Sequence, residues 1–344
     1  MKKNQIAFCN ILNALVSKAN KSKHTNMKTN IQRNSTLKKM GVILLLIFAI
    51  QQGFAQELYH KAFGNPKDTP VLFLHGGPGY NCAGFEVTSA QALADSGFYV
   101  LVYDRRGEGR STDANAKFTF QETFSDINGI LNQYKIKKVT LIGHSFGGIV
   151  ATLYADQYPE KVNAIVLVGA PVSLQETFKT ILRSSRKIYE TNHDKTNLNY
   201  IDMIEKMNPT SVEYYAYSFG HAMQNGFYSP KKMSDEAKAI YAASSKNPLF
   251  QHVSKMTQEP PQGFLKNENY TSIDLTTTLQ KLISKKTKIY ALYGKDDGLY
   301  SVDQVGQLSQ IIGKNNLTYL NDCSHNVFID QQTSFIDYLK STLK

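Results

Sequence analysis

A serine flanked by glycines is the residue best placed for nucleophilic chemistry in this chain. It lies in Gly143–Gly148 (GHSFGG), after the apolar run Val139–Ile142 and at the start of a helical pattern, Phe146–Tyr158. A tight turn between a strand and a helix exposes such a hydroxyl, and small neighbours permit the turn. Because the start of a helix directs backbone N–H groups at the same point, the N–H of Phe146 is a candidate oxyanion donor. The pattern predicts Ser145 as the nucleophile.

A glycine-rich loop offers a second oxyanion donor. His75–Gly79 (HGGPG) follows the apolar run Pro70–Leu74 directly. Glycine allows the backbone to approach a substrate closely, so we expect the second N–H to come from Gly77, with Gly76 as the alternative. His75 is a conceivable general base, but we expect it to order the loop by hydrogen bonding.

A carboxylate and a histidine follow the last two predicted strands. Asp297 lies in GKDDG after Lys288–Tyr293, and His325 follows Leu317–Leu320. Because polar groups at the carboxyl ends of parallel strands face the ligand crevice, Asp297 could orient His325, which would act as the base for the serine. Asp296 is the rival for the role of the carboxylate.

Apolar runs and helical patterns alternate along the chain. Runs this short and continuous indicate strands buried on both faces of a parallel sheet, and their alternation with helices predicts a three-layer α/β fold. The predicted strands are Pro70–Leu74, Phe98–Tyr103, Lys138–Ile142, Ala164–Val168, Lys288–Tyr293 and Leu317–Leu320. The predicted helices are Glu86–Ser96, Phe120–Tyr134, Phe146–Tyr158, Val302–Ile312 and Asn326–Leu343.

The alternation is interrupted over a long stretch that is rich in Tyr, Met, Ser and Asn. We interpret residues 171–285 as a mostly helical cap, inserted after the sixth strand of the sheet. The core would then comprise residues 56–170 and 286–344.

These motifs together resemble the α/β-hydrolase superfamily over residues 57–344. Within it the chain is most similar to the proline iminopeptidase-like serine peptidases, on the evidence of HGGPG, of Asp104–Ser111 (DRRGEGRS) and of Gly143–Gly148. The order serine, aspartate, histidine is also the order of that superfamily. The resemblance implies a catalytic triad of Ser145, Asp297 and His325, with an oxyanion hole formed by the N–H groups of Gly77 and Phe146.

Two alternatives to a peptidase stay open. The form GHSFGG is common in esterases, so a carboxylesterase or another small-molecule hydrolase is the first. A catalytically inactive binding module is the second, and more remote. The expected mechanism in an active enzyme is hydrolysis of an ester or amide through an acyl-enzyme on Ser145.

The cap contains candidate substrate contacts, although we expect most of its apolar side chains to pack the cap on itself and on the sheet, and solvated surface positions explain its carboxylates equally well. An aminopeptidase needs an acidic group to bind the amine of its substrate, and four cap carboxylates are available: Glu205, Glu213, Asp235 and Glu236. The apolar candidates for a substrate roof are Tyr214, Tyr215, Tyr217, Phe219, Met223, Phe227, Tyr228 and Met233.

The N-terminal extension, residues 1–55, has the pattern of a secretory signal peptide. Basic residues precede the apolar run Val42–Ile50, and the small residues Gly53 and Ala55 precede a possible cleavage site before Gln56. We therefore expect a secreted or periplasmic protein. An uncleaved membrane anchor and a buried helix are the alternatives, and Met27 or Met40 could be the true start.

The charge distribution argues against a nucleic-acid partner. The net charge is +11, but residues 1–55 hold nine of the 39 Lys and Arg and no Asp or Glu, which leaves 30 basic against 28 acidic residues. The expected partner is a small-molecule or short-peptide substrate, with no metal and no cofactor, because the chain has no metal-ligand or dinucleotide-binding motif. A membrane is expected as a partner only if the N-terminal segment is uncleaved. Cys82 and Cys323 could form a disulfide, but we favour two buried thiols.

Overall fold

Seven strands form one sheet in residues 58–344, the part of the chain that the computed structural model describes. The spatial order is β1-β3-β2-β4-β5-β6-β7, in which β1 runs antiparallel to β3 and every other pair is parallel. The strands are β1 His60–Phe63, β2 Thr69–Leu74, β3 Phe98–Tyr103, β4 Val139–His144, β5 Val162–Val168, β6 Lys288–Gly294 and β7 Leu317–Leu320.

Twelve helices surround this sheet in the described residues. The first, α1, spans residues 83–95 and contains a π-helical segment, Glu86–Ala90, in its middle. The other helices of the core are α2 Phe120–Gln133, α3 Phe146–Gln157, α10 Val302–Ile312, α11 Val327–Asp330 and α12 Gln332–Leu343. The helices between β5 and β6 are α4 Leu174–Thr191, α5 Lys195–Ile204, α6 Val212–Gln224, α7 Asp235–Ser244, α8 Glu259–Glu268 and α9 Thr276–Ser284.

The central strands are apolar throughout because both faces of the sheet are covered. All six residues of β3 are buried. Tyr99 and Leu101 pack into the hydrophobic cluster on one face, while Val100 and Val102 pack into the cluster on the other face. This alternation explains why the sequence has continuous apolar runs here instead of the polar–apolar alternation of a half-exposed strand.

The α/β-hydrolase fold expected from the sequence is therefore present, with one correction to its strand count. The helical insertion follows β5, the fifth described strand, whereas we expected it after the sixth. The reason is that only one described strand, the short β1, precedes the strand that leads into the HGGPG loop.

Two elements differ from the predicted pattern. Strand β1 was not predicted, since its four residues at the edge of the sheet carry no continuous apolar run. The predicted helix Asn326–Leu343 is broken, because Gln331 has φ −139° and ψ 57° and separates α11 from α12.

The strand ends converge at one edge of the sheet. In the register, Gly143 of β4 lies opposite Leu74 of β2 and Leu167 of β5, so the loops that leave these strands begin at the same level. No helix within residues 58–344 is long and apolar enough to span a membrane. The predicted signal peptide and its cleavage site lie outside the described residues.

Candidate active site

The turn between β4 and α3 holds Ser145 in a strained backbone conformation. Its φ is 53° and its ψ is −125°, a combination that side-chain-bearing residues rarely adopt. The turn is secured on both sides, since the N–H of Ser145 donates to the carbonyl of Val168 at 3.0 Å and the N–H of Gly148 donates to the carbonyl of Ser145 at 2.8 Å. The sharp turn places the serine at the start of α3.

The glycine after the turn is required by close packing. A Cβ atom on Gly147 would overlap the carbonyl group of Leu74, at the end of β2. The first turn of α3 can therefore lie against β2 only if this position has no side chain. The pattern S-x-G in the sequence thus reflects a contact between helix and sheet.

The predicted carboxylate, Asp297, forms a hydrogen bond with the predicted base, His325. His325 Nδ1 lies 2.8 Å from Asp297 Oδ2, and both side chains are buried, with 4% and 3% of the residue exposed. Asp297 is fixed in turn, because its Oδ1 accepts a hydrogen bond from the N–H of Leu299 at 3.1 Å. A carboxylate on Nδ1 leaves Nε2 of the same ring as the nitrogen available to a base reaction.

The rival carboxylate has a different partner. Asp296 accepts a hydrogen bond from the N–H of Lys231 at 3.0 Å, and the Lys231 ammonium lies 3.6 Å from its other oxygen. The structure therefore places Asp297 and not Asp296 on the histidine.

The residue before Ser145, His144, contacts His325 directly. The ring of His144, which precedes the serine, lies 4.8 Å from the His325 ring, and its Nε2 donates to the carbonyl of His325 at 3.1 Å. Among the described residues, no hydrogen bond joins Ser145 Oγ to the imidazole. Such contacts are often long in unliganded enzymes and shorten when substrate is bound.

The HGGPG loop passes directly over the serine. A Cβ atom on Gly76 would lie 3.1 Å from Cβ of Ser145, so the loop approaches as closely as a glycine allows. Gly77, the next residue, lines the same cavity as Ser145 and Phe146. The two predicted oxyanion donors therefore border the space in front of the serine.

This loop is held by a buried arginine, Arg105, whose role was not apparent from the sequence pattern. The Arg105 guanidinium donates to the carbonyls of His75 and Gly76, at 2.5 and 2.6 Å, and also binds both oxygens of Glu108. Glu108 in turn accepts a hydrogen bond from the N–H of Gly79 at 2.9 Å. The signal was present in the block DRRGEGRS, in which Arg105 and Glu108 support the loop from inside the protein.

His75 belongs to this loop support. Its Nε2 accepts a hydrogen bond from the N–H of Arg105 at 3.0 Å, so the hydrogen is on Nδ1, which donates to the carbonyl of Gly76. Burial, together with the charge of Arg105, holds the pKa of His75 well below its ordinary value. A neutral imidazole with both nitrogens engaged orders the loop.

The cavity in front of Ser145 is narrow and has no charged side chain in its lining. Its walls are Gly77, Ser145, Phe146, Pro171, Leu174, Thr177, Phe219, Tyr270, Leu299 and Tyr300. A larger cavity of about 410 Å³ lies beyond Tyr300, between α4, α9 and α10, and contains none of the predicted catalytic residues. Ser145 lines the smaller cavity, so a substrate of this serine would have to enter there.

None of the four cap carboxylates considered as candidates for binding a substrate amine lines this cavity. Glu205 pairs with Arg186, and Asp235 pairs with Lys238, each at 2.8 Å on the surface. Glu213 is exposed, and Glu236 accepts hydrogen bonds from Thr333.

Of the apolar residues considered for a substrate roof, few lie near the site. Phe219 lines the cavity, and the ring of Tyr228 lies edge-on to His325, with 5.2 Å between ring centroids. Tyr214 is buried in the hydrophobic cluster, whereas Tyr217 and Met223 are exposed. Most of the roof residues therefore serve packing or face solvent.

The two cysteines of the described residues are free, buried thiols. Burial raises the pKa of both thiols well above the ordinary value, so neither is a reactive thiolate. Within residues 58–344, no group of three His, Cys, Asp or Glu side chains is arranged to hold a metal ion.

With this geometry established, comparison with known proteins identifies the family. The sequence profile of the α/β-hydrolase fold family matches residues 69–332, so the chain belongs to that family. Among curated proteins, it is 24% identical over 291 residues to a Mycoplasma genitalium protein that is provisionally named a proline iminopeptidase, covering 80% of this chain and 90% of the relative.

Solved structures share the same fold. A proline iminopeptidase-related protein from Thermus thermophilus has a TM-score of 0.61 at 21% identity, over 85% of this chain and 96% of that one. An enzyme described as degrading N-acyl homoserine lactones has a TM-score of 0.58 at 16% identity, over 83% of this chain and 96% of that one. The protein is thus a hydrolase of the α/β-hydrolase fold, similar to proline iminopeptidases in sequence.

Proposed function

We propose that the protein hydrolyses an ester or amide bond through an acyl-enzyme on Ser145, with Asp297 and His325 completing the triad. The observation that carries the proposal is the buried 2.8 Å hydrogen bond between Asp297 and His325, in a chain that also holds Ser145 on a strained turn at the same edge of the sheet. Ser145 lies 152 positions before Asp297, and Asp297 lies 28 positions before His325, so packing alone gives no reason for these features to occur at one edge of the sheet.

In the proposed reaction, His325 takes the proton of Ser145 as the serine oxygen attacks the carbonyl carbon. The N–H groups of Gly77 and Phe146 stabilise the oxyanion, and Asp297 stabilises the imidazolium that forms. His325 then gives its proton to the leaving group. Water, activated by the same imidazole, releases the acyl group and restores the serine.

We propose a proline iminopeptidase-like aminopeptidase as the particular activity. The support is the similarity to a relative of that name across most of both chains, together with the HGGPG motif. A specific observation favours a carboxylesterase as the second candidate: the cavity lining offers no carboxylate for a substrate amine, and an uncharged acyl group fits apolar walls better.

A pair of substrates separates these activities. Prolyl-naphthylamide and p-nitrophenyl butyrate are assayed with the full chain, with Ser145→Ala, and with Ser125→Ala, which alters an exposed serine on α2, as the matched control. We expect Ser145→Ala to reduce turnover of the preferred substrate by at least about 10⁴-fold. Turnover of the ester alone would select the esterase, and unchanged turnover in Ser145→Ala would refute the serine mechanism. A wild-type protein inert to both substrates and to a fluorophosphonate would point to a binding module.

We propose further that the protein is secreted or periplasmic. The support is the order of basic, apolar and small residues in the N-terminal extension, which ends in Gly53 and Ala55. N-terminal sequencing of the protein recovered from a secreting host should begin at Gln56. A chain that retains the apolar run Val42–Ile50 would instead be an uncleaved anchor.

A further inference from the structure

A second buried carboxylate, Asp330, lies five residues after His325 and is not part of the proposed triad. Only 1% of the residue is exposed, at the end of the short helix α11. Its Oδ2 lies 2.8 Å from the backbone nitrogen and 2.5 Å from the hydroxyl oxygen of Ser324. Because Ser324 directly precedes His325, these contacts join the two ends of the segment from Ser324 to Asp330, which includes the histidine.

The number of hydrogens available to Ser324 and Asp330 indicates whether the carboxyl group is protonated or ionised. Ser324 Oγ has a single hydrogen, yet it lies within bonding distance of Asp330 Oδ2 and of the carbonyl of Tyr228, at 2.8 Å. A carbonyl oxygen can only accept. If the serine hydrogen goes to Tyr228, the short contact with Asp330 needs a hydrogen on the carboxyl group.

The other carboxyl oxygen agrees with this assignment. Oδ1 of Asp330 is buried and has no hydrogen-bond partner among the described residues. A full negative charge on a carboxylate with one oxygen unsatisfied is far costlier to bury than a neutral acid. Burial also raises the pKa of Asp330 above its ordinary value, although its contacts with the side chain and the backbone of Ser324 oppose that shift.

The surroundings of the carboxyl group contain few charges that could compensate an anion. His325 and Asp297 face it from the active site, Cys323 lies in the same loop, and Tyr241 faces it from α7. The imidazole already has Asp297 as its hydrogen-bond partner. Among these described groups, no cation is therefore free to pair with Asp330, and the role that remains for its side chain is to hold the segment that contains Ser324.

We propose that Asp330 is a positioning residue for His325: as a neutral acid, it ties Ser324 to helix α11 and so fixes the backbone that carries the imidazole. The proposal rests on the proposed function, because it treats His325 as the base. It adds a fourth side chain on which the geometry of the triad depends. The histidine segment is then held from both sides, by Asp330 at Ser324 and by His144 at the carbonyl of His325.

The test compares Asp330→Ala, Asp330→Asn and the control Asp337→Ala, an exposed residue of α12, in the full chain. Sites are counted by fluorophosphonate titration, so that kcat refers to folded, labelled protein only. Since small displacements of a catalytic group can lower rates by up to about 10²-fold, we expect kcat per site to fall at least about 10-fold in Asp330→Ala, with KM within about threefold. Asp330→Asn is neutral and has nearly the same shape, so it should keep at least about one third of kcat. The acid limb of its pH profile of kcat/KM should lie at the same pH as in the wild type.

Two results would overturn the proposal. One is a wild-type kcat per site in Asp330→Ala, which would leave Asp330 a purely structural residue. The other is an Asp330→Asn variant as impaired as Asp330→Ala, or with a shifted acid limb, which would mean that the negative charge matters. If Asp330→Ala does not fold, Ser324→Ala replaces it, with an expected loss of about threefold; an unchanged kcat would contradict the proposal.

A spectroscopic reading separates this inference from the proposed function. The Nδ1–H proton of His325, shared with Asp297, should give a low-field proton NMR signal that His325→Ala removes. We expect the signal in the wild type and in Asp330→Asn, and its loss or broadening in Asp330→Ala. A wild type with this signal but without labelling at Ser145 would refute the proposed function alone, whereas an intact signal in Asp330→Ala would refute the positioning role.

Discussion

At the residue scale, two adjacent aspartates show how one position in a loop decides the partner of a side chain. Asp297 binds the His325 imidazole, while Asp296 binds Lys231 near the surface. The sequence does not decide which of the two binds the histidine, because both follow β6 and aspartate is common in turns. The turn geometry makes the choice, through the hydrogen bond from the N–H of Leu299 to Asp297.

Substituting each aspartate by asparagine gives a matched test. Asp297→Asn should lower kcat/KM by about 10³- to 10⁴-fold, because an amide can present a donor to Nδ1 and stabilise the wrong tautomer of His325. Asp296→Asn should change it by less than about threefold, since a surface ion pair contributes little. Steady-state kinetics on the preferred substrate checks both, and equal losses in the two variants would mean that the carboxylate has been assigned wrongly.

At the scale of elements, the sequence motifs were informative where the backbone itself is constrained. The turn at Ser145 and the HGGPG loop need glycine for steric reasons, so both could be recognised from residue types and spacing. Strand β1 was missed, since four edge residues carry too little pattern. The role of Arg105 was also missed, because a charged block suggests a solvated surface until its partners in the loop are known.

A glycine-to-alanine pair tests the contact between α3 and the sheet. Gly147→Ala should destabilise the fold by at least about 3 kcal/mol, because its Cβ would collide with the backbone of Leu74. Gly129→Ala, on the exposed side of α2 where nothing lies within 4 Å, should stabilise it by about 0.5–1 kcal/mol through helix propensity. Urea unfolding measures both, and a Gly147→Ala variant as stable as the wild type would contradict the close packing.

At the scale of the whole molecule, the layered fold follows from the sequence pattern, whereas the composition of the cavity lining does not. Core strands are recognisable because burial on both faces demands apolar residues throughout, as in β3. The cavity lining combines residues from distant loops and cap helices, such as Gly77, Phe219 and Leu299, and no local pattern brings these together. For the same reason, the sequence could not show whether any of the four candidate carboxylates of the cap lines the cavity, and none does.

Folding stability should depend on pH through His75. Its folded-state pKa lies well below the ordinary value of 6.5, so below pH 6.5 the unfolded chain binds a proton that the folded protein excludes. Stability from this site is therefore fully present above pH 6.5 and falls as the pH drops. Relative to His75→Gln, which does not titrate, the wild type should lose about 2 kcal/mol of unfolding free energy between pH 8 and pH 5.

Denaturant unfolding of both proteins at the two pH values makes this measurement. The comparison with His75→Gln cancels the contributions of other titrating groups, including buried carboxylates whose raised pKa acts in the opposite direction. A difference in unfolding free energy that stays constant with pH would show that His75 is protonated as readily in the folded protein as in the unfolded chain.

The measurement that bears most directly on the proposed triad is the mapping of a covalent label. After reaction of the full chain with a fluorophosphonate, intact mass and peptide mapping should show one adduct per chain, located on Ser145, and His325→Ala should react at least about 10²-fold more slowly. An adduct on any other residue, or a Ser145→Ala variant that labels at the wild-type rate, would contradict the assignment of this serine, histidine and aspartate as one catalytic unit.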